Sequence, residues 1–271
     1  MISATVVPIH PPKYRWAIKF LDAYKKYATT GELYFVFSSQ ADLDIFKKHH
    51  SREKKFKHII VEEKLPSDNA QIIATFKKLY AINKLAEQGY KYVGVLDCDS
   101  VIVRQYDSDK IYHDIYHSKI IKTNLSTGGS NIIKLALEKA YLLDDPKLID
   151  IKEQYMWFND ICVFEKDTFI EFYYWLKQHD NFKEIQNTAK CFDYIIYSLW
   201  LVANKDFKFK LMDDEYIYPY GAIEHNFDDD DLSYKFKSSA DANRNWKNID
   251  HIKVLIHLDR SKNSRNSPKR L

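Results

Sequence analysis

The sequence predicts an α/β fold: a mostly parallel central sheet flanked by helices, followed by a less regular second half. Three observations predict it. Strand-like and helix-like segments alternate across residues 4–96. The runs at residues 32–38 (ELYFVFS) and 92–96 (YVGVL) are apolar without alternation, the pattern of strands covered on both faces. Two aspartates, Asp97 and Asp99, directly follow the second run, and open parallel sheets hold ligands at the carboxyl ends of their strands.

Each element has its own signal. Residues 4–9 (ATVVPI) form a short β-branched run, ended by His10-Pro11-Pro12 because proline has no N–H to give a ladder. Residues 14–27 set Trp16, Ala17, Phe20, Leu21 and Tyr24 at helical spacing. Residues 42–49 read as a helix and 58–61 as a third strand. Residues 69–88 carry Ile72, Ile73, Phe76, Leu79, Tyr80, Ile82 and Leu85, the spacing of an amphipathic helix. The resulting β-α-β-α-β-α-β order implies parallel strands with helices on both faces. Farther on, strands are expected at 120–123, 130–133, 207–212 and 254–256, and helices at 135–143, 168–178 and 192–202. We expect one domain over residues 1–259, with halves 1–103 and 104–259. Residues 260–271 hold five cationic residues and no acid, and are expected to form a disordered tail.

Composition bounds the function. Forty-one basic residues against 38 acidic ones give a net charge of only +3, which argues against nucleic acid as a partner. The three cysteines, Cys98, Cys162 and Cys191, make no CxxC pair, which argues for a reducing, cytoplasmic setting and against structural zinc. No stretch has the length and apolarity of a membrane span, although the basic tail could touch anionic head groups peripherally. Aromatic residues make up 15% of the chain, 20 of them tyrosines, a side chain with a flat face for stacking on bases or sugars.

The sharpest chemical signal is Leu96-Asp97-Cys98-Asp99-Ser100. If the chain stays extended, residues i and i+2 point the same way, so both carboxylates reach one point beyond the sheet edge. Like charges so close need a cation between them, or one of the two stays protonated. Oxygen ligands suit Mn²⁺ or Mg²⁺, ions that share their shells with substrate phosphates. A second acid, Asp160, follows the aromatic cluster Tyr155, Trp157 and Phe158, whose apolar area would raise its pKa toward that of a general base.

The LDCDS segment and the ordered half before it resemble the GT-A superfamily of nucleotide-sugar glycosyltransferases, which has a Rossmann-like fold and a DxD motif. The preceding stretch, TFKKLYAINKLAEQGYKYVGVLDCDS, looks like the usual lead-in to that motif. Residues 126–131, with Gly128 and Gly129, resemble the small-residue segment that passes near the donor sugar. Residues 157–164 resemble the region that places an acid near the acceptor. The resemblance implies transfer of a hexosyl or pentosyl unit from a nucleotide-diphosphate sugar to a glycan or lipid-linked acceptor, as in polysaccharide biosynthesis. It implies Asp97 and Asp99 as metal and donor ligands, the second binding the metal directly. It further implies His257, near the end of the chain, as a third metal ligand. Pro8 and His10 would border the base and ribose at the end of the first strand, and Cys98 would lie at the donor between the aspartates. Trp157 and Asn159 would meet the acceptor, and Asp160 would act as base in an inverting reaction. Lys77 or Lys78 could reach the nucleotide, with Lys78 the candidate, although a solvated helix face is the ordinary expectation for both.

One rival reading shares the motif. Haloacid-dehalogenase-like phosphatases also follow an apolar strand with DxD, using the first aspartate, here Asp97, as nucleophile. Their motif follows the first core strand, whereas three strand–helix signals precede Asp97, and their later acidic pair is matched only by Asp213-Asp214. A non-catalytic sugar-nucleotide or glycan-binding module is a third reading.

Overall fold

The computed structural model describes residues 2–50, 55–98, 100–102, 104–118, 120–121, 161–178, 193–207, 210–211, 221–227 and 255–260. Its centre is a five-stranded sheet of β1 (Ser3–Pro8), β3 (Glu32–Phe37), β4 (Lys57–Ile60), β5 (Tyr92–Val95) and β9 (Cys162–Glu165). Their spatial order is β4-β3-β1-β5-β9. The first four strands are parallel, and β9 closes one edge antiparallel to β5. The chain steps outward from β1 through β3 to β4, then returns to lay β5 on the other side of β1. This is the Rossmann-like order, and its reversal falls between β1 and β5.

Helices cover both faces, as the apolar runs predict. On one face lie α3 (Ala70–Glu87), α5 (Lys166–Gln178) and α6 (Asp193–Lys205), whose Phe76, Ile82, Leu85, Phe172 and Trp200 pack on Ala4, Val6 and Val93. On the other lie α1 (Tyr14–Tyr27), α2 (Gln40–His50) and α4 (Ser108–Ser118), whose Phe20, Phe46 and Ile111 pack with Val7, Phe35 and Phe37. Each fully buried side chain of this size adds roughly 1.5–3 kcal/mol. The polar strand residues on this second face are matched as well. Thr5 and Tyr112 share a hydrogen bond of 2.6 Å, Tyr106 donates to the same Tyr112 oxygen at 2.7 Å, and Ser3 pairs with Ser108 at 2.9 Å.

Shorter pairings complete the architecture. β6 (Ser100–Ile102) runs antiparallel to β12 (Leu255–Arg260), which runs parallel to β11 (Gly221–Phe227). β2 (Ala28–Thr30) pairs with β7 (Tyr106–Asp107), and β8 (Ile120–Ile121) with β10 (Lys210–Leu211). Strands from both sequence halves therefore meet in shared sheets, and β12 extends through Arg260. The helix expected from residue 168 begins at Lys166 because the Glu165 carboxylate accepts the Thr168 amide at 3.0 Å and caps it. α4 lies outside the expected elements, although Ile111, Tyr112 and Ile115 show the helical spacing that would have revealed it. The strand expected at 130–133 and the helix at 135–143 lie outside the described residues.

The amino ends of the strands carry a separate polar cluster. Glu32 accepts from Tyr34 at 2.9 Å and also from Tyr90 and Lys57. Partial burial raises the Glu32 pKa, but those three bonds together outweigh it and hold the carboxyl below its ordinary value. This cluster ties β3 to β4 and to the start of β5, and it is structural.

Candidate functional site

The candidate site stands at the opposite, carboxyl ends of β1 and β5. The pairing of Val6 with Val95, prolonged by a 3.0 Å bond from the Leu96 amide to the Val6 carbonyl, brings the Asp97 end of β5 beside the Pro8–His10 end of β1. This is the point where strand order reverses, the position at which open α/β sheets hold their ligands.

Beyond Leu96 the chain turns. The Ser100 amide donates to the Asp97 carbonyl at 3.0 Å, closing a four-residue turn. Asp97 thus leaves the strand through a turn, and the expectation that both carboxylates point the same way depends on Asp99. The turn forms because β6 must leave in a new direction to pair with β12. In that ladder Ser100 stands opposite His257, so the backbone brings the His257 position, remote in sequence, next to the aspartate turn. Asp99 itself and the His257 side chain lie outside the described residues.

Asp97 is 42% exposed at its side chain, and Lys78 Nζ on α3 approaches one of its carboxylate oxygens at 3.8 Å, with Lys78 only 17% exposed. Cys98 is 2% exposed and packs within the core. Pro8 is buried and His10 half-buried. Ser100 is buried too, and its Oγ finds no hydrogen-bond partner among the described residues.

Lys77 corrects the expectation of a solvated face. It is 2% exposed, and its Nζ donates to the Ile9 carbonyl at 2.7 Å. Burial pushes its pKa down to about 8, against the opposing pull of Asp42 and Cys98. Sequence reading missed it because two adjacent lysines on an amphipathic helix look like a polar face. The available signal is that Lys77 follows Phe76 and precedes the core residues Tyr80 and Ala81 by one turn.

Of the expected metal ligands, only the Asp97 side chain lies among the described residues. A carboxylate has about four lone-pair positions, so Asp97 can serve both Lys78 and an ion. The other expected ligands, Asp99 and the His257 imidazole, lie outside the described side chains, as do Gly128, Gly129, Trp157, Asn159 and Asp160. The Asp213-Asp214 pair needed by a phosphatase is outside them as well. Among the described residues no group of three or more His, Cys, Asp or Glu side chains could hold a metal ion, and no helix is long and apolar enough to cross a membrane.

No family model and no curated protein matches the chain. Among solved structures, it is similar to mouse xyloside xylosyltransferase 1 in its apo form, with 10% identity, a TM-score of 0.46 and 100% of each chain covered.

Proposed function

We propose that this chain is a metal-dependent glycosyltransferase that moves a sugar from a nucleotide-diphosphate donor to a glycan or lipid-linked acceptor in the cytoplasm. One observation carries it: an exposed carboxylate, Asp97, stands with Lys78 at the strand-order reversal, on a turn whose exit strand is paired at Ser100 with the backbone of His257. Paired charges at a sheet's switch point are what an anionic dinucleotide-like ligand and its cation require.

The division of labour follows from position. Pro8 and His10 border the base and ribose. Lys78 and the turn at Asp97 receive the diphosphate, the lysine acting as a fixed positive charge that costs no reorganisation when the leaving group gains charge. Mn²⁺ or Mg²⁺ held by Asp97, Asp99 and His257 would supply Lewis-acid stabilisation of that leaving group. Gly128 and Gly129 would let the backbone approach the donor sugar, and Trp157 and Asn159 would bind the acceptor. Asp160 would take the proton of the acceptor hydroxyl in an inverting reaction.

A thermal-shift screen of nucleotide sugars with and without Mn²⁺ tests this. We expect one nucleotide class to raise the melting temperature in the presence of the metal, and EDTA to abolish the shift. Stabilisation by none of them would overturn the assignment.

A further inference from the structure

Lys77 is chemically costly where it sits. A lysine is almost never fully buried unless paired, because removing an ammonium from water is expensive. Its hydrogen-bond acceptor is a neutral carbonyl, that of Ile9 at 2.7 Å. Asp42 on α2 and Cys98 in the aspartate turn are its electrostatic neighbours from the other packed elements, and they only partly offset the effect of burial. An apolar residue of the same length would fill this space without the desolvation cost. Stability alone therefore gives no reason for a charge here.

Its location gives one. The Ile9 amide still bonds Val36 of β3 at 3.2 Å, whereas the Ile9 carbonyl is satisfied by Lys77 instead of a strand amide. Ile9 is followed at once by His10, whose carbonyl accepts the Lys13 amide at 2.8 Å to start the Pro11–Lys13 turn. One ammonium thus fixes the carbonyl just past β1 and lies within electrostatic reach of Asp42 on α2 and of Cys98, the residue between the two aspartates in sequence. It is joined by sequence to Lys78, which faces Asp97.

We infer, resting on the donor site proposed above, that Lys77 is a positioning residue for the donor's diphosphate: it locks the Ile9–Lys13 segment and supplies a buried positive charge near the aspartate turn. Substrate does not touch it. It acts through the Ile9 carbonyl and through the field at the strand ends, which the low-dielectric surroundings screen little.

The test compares wild type with Lys77→Met and Lys77→Gln, the second keeping an N–H donor without the charge. UDP, GDP and inorganic pyrophosphate, each with Mn²⁺, are titrated calorimetrically, and the melting temperature of the ligand-free proteins is measured at pH 7. We expect Lys77→Met to bind at least tenfold more weakly while its ligand-free melting temperature stays equal or rises. With the donor that stabilises wild type, KM should rise about tenfold and kcat stay within threefold. A purely structural lysine would instead lower the melting temperature and leave the affinity of the folded fraction intact, and that result overturns the inference. If Lys77→Met does not fold, Lys77→Gln decides: a tenfold loss of affinity supports the role and wild-type affinity overturns it. Wild type that binds none of the three probes removes the proposed function along with this inference. Wild type that binds while both folded variants bind equally well removes this inference alone.

Discussion

Lys78 Nζ faces the Asp97 carboxylate across 3.8 Å, joining α3 to the turn after β5. In the absence of ligand this lysine competes with any divalent cation for the same oxygens. In the proposed donor site the same charge would help to hold a nucleotide diphosphate. Lys78→Met should therefore have opposite effects on the two ligands. The pair is partly solvated, so its strength is nearer 1 kcal/mol than the roughly 4 kcal/mol expected at an effective dielectric of about 20. We expect Mn²⁺ alone to bind about fivefold more tightly to Lys78→Met, and the donor to bind at least tenfold more weakly. Electron paramagnetic resonance of free Mn²⁺ and donor titration read the two effects separately. Weaker Mn²⁺ binding by the variant would contradict the competition.

The two aspartates should be unequal. Asp97 already has a lysine partner, so part of its charge is engaged within the protein. Asp99 is expected to bind the metal directly, and removing a direct ligand exposes the leaving group's charge in the transition state. Asp99→Ala should lower kcat by about 10²–10³-fold, the scale of losing one well-placed electrostatic stabiliser. Asp97→Ala should lower it less and raise KM for the donor more. Steady-state kinetics over a Mn²⁺ series checks both, and full transfer by Asp99→Ala would contradict the role.

The central sheet is legible because its signals are local. Glu32–Phe37 and Tyr92–Val95 are apolar runs, and the periodicity of Tyr14–Tyr27 gives that helix's bounds. The short strands are not legible. Ala28–Thr30 and Ser100–Ile102 exist only through partners distant in sequence, Tyr106–Asp107 and Leu255–Arg260. The same limit hid the site's geometry. The DxD motif names the aspartates but not the turn that carries them, which depends on where β6 must go. Nor does it distinguish Lys77, turned into the core, from Lys78, turned toward Asp97, because a helix rotates only about 100° between neighbours. The adjacency of Ser100 and His257 is a tertiary fact that spacing along the chain does not encode.

Gly94 is a second place where packing decides. It lies in β5 opposite Thr5 of β1. A methyl group added there would overlap the ring of Tyr112, and that ring is fixed by its bonds to Thr5 and Tyr106. The ring cannot move aside without breaking a buried hydrogen-bonded pair. Gly94→Ala should destabilise the protein by about 3 kcal/mol, the upper part of the range for overpacking a core. Tyr112→Phe alone should cost about 1–2 kcal/mol, for the lost bonds of Thr5 and Tyr106. Urea denaturation measures both. A Gly94→Ala variant as stable as wild type would mean that α4 can shift away from the sheet.

Lys77 makes the stability of the fold depend on alkaline pH in a particular sense. Its pKa in the folded protein is held down to about 8, from an ordinary 10.5, because burial disfavours the ammonium. Below pH 8 both folded and unfolded chains carry the proton, and the folded state bears the full desolvation cost. Between pH 8 and 10.5 the folded state has released the proton while the unfolded state still holds it. The unfolded state then binds more protons, so this contribution makes stability rise with pH. A proton held by the unfolded chain alone adds about 1.4 kcal/mol of stability for every pH unit crossed, which gives a rise of about 3 kcal/mol over the window. The raised pKa values of the buried tyrosines act in the opposite sense above pH 10, because the unfolded state then loses protons that the folded state keeps. Subtracting the Lys77→Met stability from that of wild type cancels their effect. At pH 7 the methionine variant should be as stable as wild type or more stable, since relief of desolvation offsets the carbonyl bond it loses. By pH 10.5 wild type should have gained about 3 kcal/mol relative to the variant, because the neutral amine still donates to Ile9 without carrying a buried charge. Chemical denaturation of both proteins at half-unit steps from pH 7 to 10.5 measures the difference directly. A difference that stays flat across that range would mean that the Lys77 ammonium is not desolvated in the folded protein.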